Sequence, residues 1–108
     1  MSDLDVEKDV LRRFLEQQRK HVTGILDGLS DEHYWFRCIM AGQHSNAIID
    51  ATPLGAPPRL QDPWWGERAA NVTGLRYVML HVIAETACHA GHLDAAAELI
   101  DGRQWVVL

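Results

Sequence analysis

Four residues near the C-terminal end of the chain carry its clearest chemical grouping: His81, Glu85, His89 and His92. On a helix turning about 100° per residue, with His81 at zero, they fall at about 0°, 40°, 80° and 20°. Glu85 and His89 are four apart, so both side chains project from one side, one turn from each other. A carboxylate and an imidazole at that spacing can share one divalent ion, with a third ligand from elsewhere in the fold. The same spacing also serves an ordinary ion pair or hydrogen bond on a helix surface. His81 and His92 read equally well as core-edge histidines bonded to backbone carbonyls. Cys88, at about 340°, is a further potential ligand, although a lone cysteine is more often a small buried apolar residue.

The element that must position these residues is a helix over 73–101. Thr73 is placed to cap its start and Gly102 to end it. Arg76, Asp94, Glu98 and Asp101 fall together on one side, which is expected to face water. Leu75, Met79, Val82, Ile83, Leu93 and Ile100 form the apolar stripe. The His81–Glu85–His89–His92 stripe is nearly opposite the charged side, so it is expected to point inward or along the core edge. A carboxylate buried there needs a cation, a proton or hydrogen bonds.

Upstream, apolar residues recur at helical spacing from Val6 to Leu26, with acidic residues early and basic ones later, and predict a first helix over 5–28. Ser30 offers a cap for a second helix over 31–41, whose aromatic cluster Tyr34-Trp35-Phe36 reads as core. The stretch 42–72 holds all four prolines and reads as an irregular connection, with a helical turn around Ser45 to Asp50. Trp64 and Trp65 could line a pocket or pin this connection to the core, and pinning is the favoured reading. A loop that long inside a compact domain is uncommon and usually functional or disordered.

With 108 residues, 47% of them apolar and 23% charged, the chain reads as one globular all-α domain. A net charge of −5 argues against a nucleic acid or an anionic membrane as partner. No apolar run approaches the ~20 residues of a membrane span, and the acidic N-terminus does not read as a signal peptide. A cytoplasmic location follows by elimination. Cys38 and Cys88 form no Cys-x-x-Cys motif and are expected reduced.

The run from Leu75 to His92, with its pattern His-x-x-x-Glu-Thr-x-x-His-x-Gly-His, resembles the last helix of the DinB-like metalloprotein superfamily. It is closest to the actinobacterial branch that includes mycothiol-dependent maleylpyruvate isomerase. The Leu29-Ser30-Asp31-Glu32 turn is similar to the one that follows the family's first helix. Tyr34-Trp35-Phe36 and Ala41-Gly42 look like the end of its second. The resemblance implies a helical bundle holding zinc or nickel, with Glu85 and His89 as two of three ligands. It also implies a thiol co-substrate such as mycothiol, in transferase or isomerase chemistry.

Against the family pattern the chain reads as shortened, without the stretch that carries the second-helix metal histidine. His33 is then the nearest candidate for the third ligand, with His44 a weaker one. The architecture expected is a shortened DinB-like bundle of about three helices joined by the Pro-rich connection, completed by homodimerisation. The alternative reading is a degenerate, non-catalytic helical module for oligomerisation or binding.

Overall fold

A Ser2 cap starts the first helix earlier than the apolar pattern indicates. In the computed structural model, α1 runs Asp3–Leu26. The Asp5 backbone N–H donates to Ser2 Oγ at 3.2 Å, and the Ser2 N–H donates back to the Asp5 carboxylate at 3.0 Å. This reciprocal capping satisfies two of the helix's orphan donors. Asp3 and Asp5 in the first turn suit the helix dipole. The structure describes residues 2–26, 32–60 and 63–102; the side chains of 25, 26, 32–39 and 101 lie outside that description.

The second helix, α2, spans Glu32–Ala51 and so continues ten residues beyond the expected end at 41. Polar contacts to α1 hold the extra turns. Arg19 donates to Asn46 Oδ1 at 2.6 Å, and Asn46 in turn donates to Glu16 at 3.3 Å. Ile49 adds a buried apolar anchor. The helix stops where Thr52 precedes Pro53, a position disfavouring helical backbone. Lys8 Nζ then donates to the last carbonyls, of Asp50 at 3.3 Å and Thr52 at 2.5 Å, opposing the negative end of the helix dipole.

The rest of the expected irregular connection contains a 3-10 segment, Pro63–Asn71. It is broken at Gly66, whose φ of 54° and ψ of −130° only glycine adopts readily. The last helix, α3, spans Leu75–Asp101 and ends at Gly102 in the left-handed conformation. Its N-cap is Gly74, not the expected Thr73, and no side chain caps it. The start is held instead by the backbone, since Arg76 N–H donates to the Leu54 carbonyl at 3.0 Å.

Three helices and the 3-10 segment, with no strand among the described residues, make an all-α fold. α1 is the central element. It runs antiparallel to α2, because Lys8 meets Asp50 and Thr52 while Arg19 meets Asn46. It runs parallel to α3, because Glu7 meets Arg76 while Leu11 and Leu15 pack with Leu75, Met79 and Ile83. Leu15, Ile49, Leu54 and Met79 are the buried centre of that core.

Candidate functional site

α3 buries Met79, Ala90 and Ala97 fully and Ile83, Thr86 and Leu93 in part. These positions are spaced four, three, four, three and four apart, the alternation that keeps one seam against a neighbouring helix. The seam thus combines the bulky Met79, Ile83 and Leu93 of the expected apolar stripe with the small Thr86, Ala90 and Ala97. Arg76 and Asp94, expected in water, turn partly inward with this seam, and Arg76 pairs with Glu7.

That seam overturns the expected burial of the histidine stripe. The Glu85 side chain is 58% exposed, His81 57% and His89 70%. His92 is also exposed, as is Cys88, which is therefore not a buried apolar filler. Trp64, expected to pin the connection, is 87% exposed, while Trp65 is half-buried.

Although exposed, the stripe is ordered along the helix. His89 Nε2 lies 3.5 Å from Glu85 Oε2, and His81 Nε2 lies 4.0 Å from the other oxygen, Oε1. Tyr77 stacks on His81 with centroids 6.1 Å apart and planes 11° from parallel, which restrains the imidazole. Tyr77, His81, Glu85 and His89 thus form a ladder with one member per turn.

Two donors held about 2.1 Å from a tetrahedral ion stand about 3.4 Å apart. The 3.5 Å between Glu85 Oε2 and His89 Nε2 therefore fits a shared divalent cation. No three metal-competent side chains converge among the described residues. His44 is exposed on α2 and does not complete such a group. His33 is in the first turn of α2, and its side chain lies outside the described residues, as do those of Tyr34, Trp35 and Phe36.

Next to the ladder is a cleft of about 330 Å³, where Trp64 and Trp65 take the pocket-lining role that was the less favoured reading of the sequence. Trp64, Trp65 and Arg68 of the 3-10 segment form one side, and Tyr77, Val78 and His81 of α3 the other. The Trp-Trp-Gly run was its only trace in the sequence. The break at Gly66 turns the chain between Trp65 and Arg68, so that both reach the same cleft.

In comparison with known protein families, the model described as Mycothiol-S-transferase matches residues 40–102, more than half of the chain. The whole ladder, the 3-10 segment and the second half of α2 fall within the match, whereas α1 and His33 do not. No curated protein and no solved structure matches the chain.

Proposed function

The chain belongs to the mycothiol-S-transferase family, and on that premise we propose that it binds zinc or nickel at Glu85 and His89 and presents a mycothiol-type thiol to an acceptor molecule. The observation that carries this reading is the 3.5 Å spacing of Glu85 Oε2 and His89 Nε2 on an open helix edge. A bound divalent cation would supply a lowered thiol pKa, so that the sulfur is nucleophilic near neutral pH. Glu85 and His89 would hold that cation, with His33 as the protein's third donor. His81, restrained by Tyr77, would accept the thiol proton at Nε2. His92 would line the site one turn beyond His89.

A second copy of the chain is the proposed cover for this edge. Val78 and Val82 are exposed on the same side as Glu85 and His89, and Leu99 and Ile100 follow farther along the helix. These residues also favour the alternative, a non-catalytic oligomerisation module.

Elemental analysis of the purified full chain, with zinc titration and solution mass, separates the two readings. Near one equivalent of zinc or nickel per chain, lost in Glu85→Ala and His89→Ala, is the expected result. A dimer that binds neither ion better than Glu85→Ala does would overturn metal binding in favour of the module.

A further inference from the structure

We propose that the cleft between the 3-10 segment and α3 binds a planar, apolar carboxylate, and that this is the chemical class of the acceptor molecule. The acceptor role rests on the transferase reading above; the binding itself does not. The walls are aromatic and aliphatic, from Trp64, Trp65, Tyr77 and Val78. Such walls favour a flat apolar body, because aromatic side chains stack on planar groups at low conformational cost.

The charge in the cleft comes from Arg68, whose side chain forms no hydrogen bond or ion pair with any described residue. A guanidinium at the edge of an apolar cleft selects a carboxylate, which it can grip through two parallel N–H donors. Its neighbour Glu67 is not part of the lining. At a volume of about 330 Å³ the cleft admits a molecule the size of a one- or two-ring aromatic acid.

Its position suits an acceptor. His81 belongs both to the cleft wall and to the ladder. Four residues separate His81 from Glu85, a rise of about 6 Å along the helix. A molecule seated against His81 therefore lies one turn from the edge where the thiol would be held.

Calorimetric titration of 2-naphthoate into the full chain, in the presence of EDTA, tests this. Saturable binding near one per chain is expected. Affinity should fall about tenfold in Arg68→Gln, the loss of about one charge-assisted hydrogen bond. It should fall similarly for 2-naphthylmethanol, which keeps the flat body and lacks the charge. Glu85→Ala should leave naphthoate binding unchanged. No binding, equal binding by Arg68→Gln, or equal binding of the alcohol would overturn the proposal. Naphthoate binding by a chain that takes up no zinc would leave the carboxylate site standing, while the metal reading and the acceptor role that rests on it fail.

Discussion

Arg76, in the first turn of α3, grips the Glu7 carboxylate of α1 with both Nε and Nη2, the latter at 3.1 Å. The two residues are 69 positions apart, so the pair ties the chain's first helix to its last and sets their parallel register. The hydrogen bonds from Arg76 hold the Glu7 carboxyl below its ordinary value of 4.5. A carboxyl whose pKa is lowered by folding stabilises the fold above its unfolded value, and that contribution is lost as pH falls through the folded one. Glu7→Gln is therefore expected to melt earlier than the native chain at pH 7, with the difference shrinking as pH falls from 4.5 through the lowered folded value. The effect is modest, since the two side chains remain 42% and 39% exposed. Thermal melts of both proteins from pH 7 to pH 3 check it; a difference that does not shrink over that range would assign the loss to packing.

Met79 is 1% exposed and packs with Leu15, Ile49 and Leu54, where all three helices and the Pro53–Ala56 turn meet. Met79→Ala is expected to cost about 2–5 kcal/mol, the range for a truncated core side chain. Leu99→Ala, on the same helix but 90% exposed, should change stability by less than about 0.5 kcal/mol. Urea unfolding of the two variants measures the contrast. Equal losses would mean that the C-terminal part of α3 is buried in solution, as a dimer would require.

The positions of these residues show what could be read from the sequence. α3 was legible because its apolar run is long and Gly102 ends it. The far half of α2 was read only as a helical turn around Ser45 to Asp50, since Gly42, Ser45 and Asn46 are poor helix formers followed by prolines. Long-range bonds from Arg19 and the buried Ile49 override that local preference. The site was legible as a set of residues and misread as a surface. α3 is apolar on two adjoining sides, and the one with Val78 and Val82 is exposed. Leu75, Met79, Ile83 and Leu93 of the expected apolar stripe do turn inward, three of them packing with Leu11 and Leu15 of α1, whereas Val82 and Ile100 are exposed and the histidine stripe beside Val82 is left open.

Gly74 marks another close approach. A Cβ at this position would lie 3.2 Å from the backbone oxygens of Leu54 and Ala56 and from the Gly55 carbonyl carbon. Its φ of 177° is extended, so any residue could adopt the backbone; the obstacle is space alone. The opposing atoms cannot swing aside, because Leu54 is buried and its carbonyl accepts the Arg76 N–H. Gly74→Ala is therefore expected to destabilise by about 1–3 kcal/mol, the usual cost of overpacking. Hydrogen exchange should show the loss first at the Arg76 amide. A variant as stable as the native chain would mean that the Pro53–Ala56 turn shifts freely.

Glu85 and His89 allow function to be separated from folding. Both side chains are more than half exposed and neither contacts the core cluster. Glu85→Ala and His89→Ala should each leave the stability of the chelated protein within about 0.5 kcal/mol of native. Zinc at a hundred times its dissociation constant should stabilise the native chain by about 2.7 kcal/mol through mass action, and neither variant should gain that increment. His81→Ala removes an imidazole from the far carboxylate oxygen rather than a ligand, so it should retain the increment at a higher zinc concentration. Loss of a residue that orients a ligand typically weakens metal affinity about 10–100-fold. Thermal melts across a zinc series measure all three variants. A native-sized increment in Glu85→Ala would remove that carboxylate from the metal site and leave the ladder as a surface ion-pair chain.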